Sequence, residues 1–265
     1  MNWNKISAII RSDIIKMSHS SKASHLASAL SCVDILTVLY CSVMRINRDL
    51  LEASDRDRFI LSKGHAAAAL YAVLAYRGII DKDDLLSYGM KGSLLEEHPS
   101  PKQNGVEAAT GSLGHGLAIG NGMALSSKIS GCKFSVFVLM SDGECNEGSV
   151  WEAAMFAATH ELNNLIAIVD YNKWQATDRS DEVMKLTPFV EKWASFGWDV
   201  LEVDGHDHQE LFNAMTSSNE KRPRMIIAHT VKGKGVSFME DDNNWHYRVP
   251  TTEEVQAARL ELEVA

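Results

Sequence analysis

The chain has 265 residues, 45% apolar and 23% charged, a globular composition that excludes wholesale disorder and suits one large domain or two small ones. Its net charge of −9 argues against nucleic acid or an anionic membrane as a general partner. Cys32, Cys41, Cys132 and Cys145 form no C-x-x-C pair, charges interrupt the apolar N-terminal stretch, and no uncharged run approaches the roughly 18 residues of a membrane span, so a soluble protein in a reducing, cytoplasmic setting is expected.

In chain order, apolar spacing predicts a helix over 4–17, through Ile6, Ile9, Ile10, Ile14 and Met17, and another over 31–44. The short apolar run 58–61 leads into Ser62-Lys63-Gly64-His65 and an alanine-rich helix over 65–77. Residues 86–113, punctuated by glycine and proline, read as a long loop of the functional kind. From there the pattern alternates: strand 134–140, helix 148–162, strand 165–170, helix 187–196, strand 198–203, helix 208–219, strand 224–230. Continuous apolar strands separated by helices imply a single doubly wound α/β domain over 1–265, a parallel sheet with helices on both faces. After Pro250 an acidic helix starts at Thr251 or Thr252, with Glu254 placed for a capping box.

Open parallel sheets bind ligands beyond the carboxyl ends of their strands. Asp142 follows the strand 134–140 and Asn172 the strand 165–170, one strand–helix–strand unit apart, so a right-handed crossover sets them at neighbouring strand ends. A carboxylate beside an amide oxygen suits Mg²⁺ or Ca²⁺ on a phosphate better than zinc. A helix starting near Gly148 aims its N-terminus at the same place. Singly, Asp-Gly is a turn and Asn after a strand a loop residue; the combination carries the signal.

The run D-G-E-x-x-E-G-x-x-W-E-A at 142–153, followed by a strand and Tyr171-Asn172, resembles the thiamine diphosphate motif of the transketolase family, and the likeness continues over nearly the whole chain. The resemblance implies Mg²⁺, with Ca²⁺ or Mn²⁺ as substitutes, held by Asp142, Asn172 and the Trp174 carbonyl, with Gly143 and Glu144 at the cofactor. FILSKGHAAAALYAVLAYRG implies His65 beside the diphosphate and substrate. EEHPSPKQNGVEAATGSLGHGLAIGNGMAL implies His98 in the substrate channel and Gly111, Ser112, Leu113 and Gly114 lining the cofactor. HTVKGKGVSFMEDDNNWH implies His246 by the diphosphate and the reacting sugar, and Glu147 matches the residue facing its counterpart across a dimer interface. His25, His65, His98 and His246 are then the catalytic histidines, with His25 and His246 shuttling protons.

Two departures accompany the likeness. Residues 23–31 read A-S-H-L-A-S-A-L-S where the family has S-G-H-P-G-G-S-L-S, so the loop around His25 is expected to sit differently, and Ser141 replaces the first glycine of G-D-G. A full-length member also carries a pyrimidine-binding domain, with the glutamate that activates the cofactor, and a C-terminal domain. The resemblance therefore implies the N-terminal subunit of a split transketolase, transferring a two-carbon ketol unit between sugars or sugar phosphates. Its partner would be a C-terminal, pyrimidine-binding subunit in an α₂β₂ assembly. An alpha-type subunit of a 2-oxoacid dehydrogenase and a non-catalytic scaffold are the alternatives; four histidines at matching positions favour sugar transfer.

Plainer readings cover the rest. His160 and His229 are packing or surface residues, and Asp207 between His206 and His208 is a helix cap rather than part of a metal site. Lys232-Gly233-Lys234-Gly235 is no nucleotide P-loop; beside His246 it closes over an anionic cofactor. Cys145 is passive, and Trp151 and Met155 face the core.

Overall fold

Short β-branched and aliphatic runs form the strands, because side chains that alternate across a strand fill two apolar layers at once. The computed structural model describes residues 1–218 and 221–263. The helix α1 (Trp3–Ser21), capped by the Asn2 side chain, buries Ile6, Ile10, Ile14 and Met17 as the spacing predicts. The helical stretch begins earlier than the expected 31–44, as α2 (Leu26–Ser31), and within that span it continues as α3 (Val33–Val38) and a π-helical turn over Leu39–Val43. The break falls at Cys32, whose N–H turns back to the Leu30 carbonyl at ψ 7°.

The run 58–61 is a strand, β1 (Arg58–Leu61). There follow α4 (Ala67–Tyr76), the long loop, α5 (Gly116–Ser130), β2 (Val136–Ser141), α6 (Gly148–Thr159) and β3 (Leu165–Tyr171). After them come α7 (Ser180–Val183), α8 (Phe189–Ser195), β4 (Asp199–Asp204), α9 (His208–Thr216), β5 (Arg224–His229) and α10 (Thr252–Glu261). Asn219, at the end of the expected 208–219 helix, lies outside the described residues. Asp207 caps α9 through the N–H groups of Gln209 and Glu210, and Thr251 and Glu254 form the capping box that starts α10.

All five strands run parallel in the order β1-β2-β3-β5-β4. Phe137, Leu139, Ile166, Ile168 and Ile226 pack on one face with α1 to α4 and α9; Val136, Val138, Met140, Val169 and Ile227 pack on the other with α5, α6 and α8. The doubly covered sheet is therefore as expected, except that β4 is a half-exposed edge. Met155 also departs from expectation: it is 50% exposed, with Phe156 beside it at 40%. The stripe of α6 that meets the sheet consists of Val150, Ala153, Ala154 and Ala157, and these small residues turn the larger ones outward. Trp151 is half-buried, 4.9 Å from Trp193. Among the described residues no helix is long and apolar enough to cross a membrane, and all four cysteines are free thiols.

Candidate functional site

The register of β2 on β3 pairs Ser141 with Asp170, so the residues just past these strands lie side by side. Asp142 is completely buried. Its Oδ2 accepts from the Lys173 N–H and the Ser180 hydroxyl, both at 2.8 Å, and its Oδ1 from the Gly143 N–H at 2.9 Å. Burial pushes its carboxyl up to about 6, which is what desolvation does to an anion with no cation in contact. Asn172 Oδ1 accepts from the Trp174 N–H at 3.0 Å, and its Nδ2 reaches Asp170 at 3.4 Å.

Beneath Asn172 lies a pair that sequence reasoning missed. Lys63 and Asp170 are wholly buried and in direct ion contact, with Ser31 and Thr230 donating to the same carboxylate and Lys63 also donating to the Ser28 carbonyl at 2.9 Å. Lysine in a Ser-Lys-Gly-His turn reads as solvated, and only the fold sets Asp170 under it.

The four histidines arrive from separate parts of the chain and meet. The His25 ring lies 4.9 Å from that of His246, 5.5 Å from His65 and 6.3 Å from His98. His25 takes a left-handed conformation at the start of α2, and its N–H donates to the His246 carbonyl at 2.7 Å. His25 is pushed down to about 4, first by burial and then by His98 and Lys232. His246 is pushed down to about 3 by burial, Lys232 and His25, and burial drives His65 well below the usual histidine range. At neutral pH the rings of His25, His65 and His246 are uncharged.

Lys232, from the glycine-rich segment, completes the group. Its Nζ donates to Asn243 Oδ1 at 2.6 Å and to His246 Nδ1 at 3.2 Å, both neutral partners, and burial followed by Lys63 lowers it to about 8. A buried cation with neutral partners favours an anion in the adjoining space. Next to His246 opens a cleft of about 400 Å³, lined by all four histidines with Ser28, Gly111, Leu113, Gly143, Glu147, Asn172 and Trp174. The buried Nε2 of Gln175, also in its wall, has no hydrogen-bond partner. Gly111 lets His98 close on the cleft, since a Cβ there would lie 2.8 Å from the ring.

Other expected site residues stand at the margin. Glu144 is turned inward, accepting from the Gly114 N–H at 2.9 Å, the Ser141 N–H at 3.3 Å and the Ser62 hydroxyl, and so braces the Gly114 turn. Ser112 is exposed on an adjoining shallow surface with Thr110 and His115. Glu147 is exposed at the start of α6. Cys145 is buried, and desolvation and Glu144 hold its thiol well above its usual value, so it is no nucleophile. His206 and His208 both face the Asp34 carboxylate, at 2.8 and 3.1 Å, and no metal-ligating cluster of histidine, cysteine and acidic residues occurs among the described residues. His160 ends α6 against Phe156, and His229 ends β5 against Glu202.

A family model described as "Transketolase, thiamine diphosphate binding domain" matches residues 3–264. The chain belongs to the transketolase family. It is 41% identical over 254 residues to an apulose-4-phosphate transketolase subunit from Phocaeicola vulgatus, covering 95% of this chain and 90% of that one. It is 38% identical over 242 residues to a 6-deoxy-6-sulfo-D-fructose transketolase subunit from a Clostridium species, covering 90% and 88%. The transketolase of Leishmania mexicana superposes with a TM-score of 0.93 at 27% identity, covering all of this chain. The chain spans 42% of that transketolase's length.

The residues present fit thiamine diphosphate with a divalent cation. The Asp142–Asn172 oxygens are hard donors, Lys232 is a buried cation bonded to the cleft residue His246, and the orphaned Gln175 amide in the cleft wall offers a further donor.

Proposed function

We propose that this chain is the thiamine diphosphate-binding subunit of a two-chain transketolase, and that its substrates are a ketose donor and an aldose acceptor bearing a phosphate or similar anion. The observation that carries this reading is the convergence of four imidazoles on one cleft, with Lys232 bonded to His246 behind its wall and the Asp142–Asn172 oxygen pair beside it. Relatives of nearly the same length, named as transketolase subunits, support a partner chain; in this reading it is the pyrimidine-binding half of an α₂β₂ assembly with Glu147 near its twofold axis. The sugars in their names carry a phosphate or a sulfo group. Free thiols on all four cysteines are consistent with a cytoplasmic location.

Asp142, Asn172 and the Trp174 carbonyl would hold Mg²⁺, for which Ca²⁺ or Mn²⁺ substitute, while His65 and His246, with Lys232 behind it, would face the diphosphate and Gly143 would border it. Gly111, Ser112, Leu113 and the turn at Gly114, braced by Glu144, bound the cofactor on the other side. When bound, thiamine diphosphate supplies the nucleophilic carbon that carries the two-carbon unit. This chain's residues handle the protons. Lys232 has only donors, so the His246 Nδ1 accepts and its proton sits on Nε2, ready to donate to a sugar oxygen. His25, uncharged until about pH 4, is free to accept a hydroxyl proton, and His98 orients the sugar in the channel.

The test is a ketol-transfer assay with thiamine diphosphate and Mg²⁺ on this chain, on its candidate partner, and on the mixture. Activity is expected only in the mixture, together with a rise in assembly size. Robust transfer by this polypeptide alone would sink the two-chain reading, and oxidative decarboxylation of a 2-oxoacid by the mixture would sink the transketolase assignment.

A further inference from the structure

Two stretches distant in sequence border the same cleft, and side chains of the second tie it to the first. The first is a hairpin over 172–180. Trp174 and Arg179 pair as an antiparallel bridge, the Ser180 N–H donates to the Lys173 carbonyl at 3.0 Å, and Lys173 and Ser180 hold the Asp142 carboxylate between them. The second is the segment 230–246, which carries Lys232 and His246.

Asp241 bridges the two. Its carboxylate accepts from Trp174 Nε1 at 2.8 Å and from both Arg179 Nη atoms at 2.7 and 2.6 Å. The Arg179 guanidinium lies 3.8 Å over the Trp174 ring. The Asp241 backbone N–H donates to the Lys232 carbonyl at 2.8 Å, from a left-handed conformation at φ 58°. A parallel tie runs through Asn243, which accepts from Lys232 and donates to the Ala176 carbonyl at 3.1 Å.

We infer that Asp241, Arg179 and the Trp174 indole are positioning residues that couple the metal-ligand hairpin to the Lys232 segment, so that the cation and diphosphate subsites order together. The inference rests on the proposed cofactor reading for its consequence, but the coupling itself is a property of this chain. A lone exposed ion pair contributes little. Here a bidentate pair, an indole N–H and a cation–π contact share one carboxylate whose own backbone reaches Lys232, and disturbing any of them is felt on both sides. The Arg179 and Asp241 side chains are 39% and 53% exposed, so removing them opens no hole in the core.

Amide hydrogen exchange on the full chain tests the coupling. Asp241→Asn and Arg179→Met are each expected to accelerate exchange about tenfold both in 173–180 and in 231–235, with the double variant no faster than either single one. Trp174→Phe keeps the stacked ring and loses one N–H, and is expected to give a smaller acceleration, about threefold, in the same two stretches. Acceleration confined to the substituted stretch, or additive in the double variant, overturns the inference. In the assembled enzyme, Asp241→Asn is expected to raise the half-saturating Mg²⁺ concentration for thiamine diphosphate binding about tenfold while kcat at saturation falls less than twofold. A fall in kcat with an unchanged Mg²⁺ requirement overturns it as well. If the unsubstituted assembly binds no thiamine diphosphate, the functional reading fails, and the exchange result still decides the coupling.

Discussion

Lys232 Nζ lies 3.2 Å from His246 Nδ1, and because an ammonium has no lone pair to offer, the ring nitrogen accepts and the imidazole proton is held on Nε2. This sets which nitrogen of His246 faces a ligand as a donor. Lys232→Met removes both the charge and the tautomer control. It is expected to weaken thiamine diphosphate binding about tenfold to a hundredfold by isothermal titration of the assembled enzyme. Unchanged affinity would show that Lys232 faces no anion.

His25→Ala and His246→Ala are expected to lower kcat about 10²–10⁴-fold with far smaller changes in cofactor affinity, as removal of a proton-transfer group does. Steady-state kinetics beside a cofactor titration separates the two effects. Equal loss of both at His25 would assign it to cofactor positioning instead.

Asp142→Ala and Asn172→Ala each take away one hard oxygen. Both variants are expected to lose most cofactor binding in Mg²⁺ while keeping the far-ultraviolet circular dichroism of the unsubstituted chain. Normal binding by both would place the metal elsewhere.

The histidine shifts make stability depend on pH with a definite sign. His25 titrates near 4 when folded and near 6.5 when unfolded, so between these values the unfolded chain binds a proton that the folded ring refuses. Its contribution is fully present above pH 6.5 and is lost as pH falls to about 4. Urea titrations at pH 7, 5.5 and 4.5 should therefore show a smaller acid-induced loss in His25→Asn than in the unsubstituted chain. An identical loss in both would show that the ring is not held neutral.

Lys63→Met leaves Asp170 buried without its cation and is expected to cost about 3–5 kcal/mol of stability by denaturant unfolding. Adding Asp170→Asn removes the stranded charge and should recover part of that loss. Strict additivity of the two substitutions would mean that the pair is not coupled.

The architecture was legible where periodicity is strong. The strands 134–140 and 165–170 announce themselves as apolar runs, and their spacing correctly makes Asp142 and Asn172 neighbours. The four histidines were legible only through short local motifs, since nothing in composition says that His25 and His98 meet. Cys32 hid the break between α2 and α3, because an apolar residue continues the pattern while its backbone turns. Lys63, Asp170 and Gln175 were invisible for a different reason: each carries its meaning in a partner, or a missing partner, that tertiary packing alone creates. The same holds for Arg11, which reaches Asp34 in two hydrogen bonds of 3.1 and 2.6 Å beneath the glycine-rich segment.

Ser28 and His246, 3.4 Å apart in the folded chain, are 218 positions apart along it. On the ribosome, at about 5–20 residues per second, the first waits on the order of ten seconds or more for the second to be made. Throughout that interval α2 has neither the His246 carbonyl over His25 nor the Gly233 amide on Ala27. β4 too must wait, since it pairs only with β5, and the His246 side of the cleft closes last of all. A chain cut short before residue 246 would keep most of its core and lack the ring and carbonyl that close over His25.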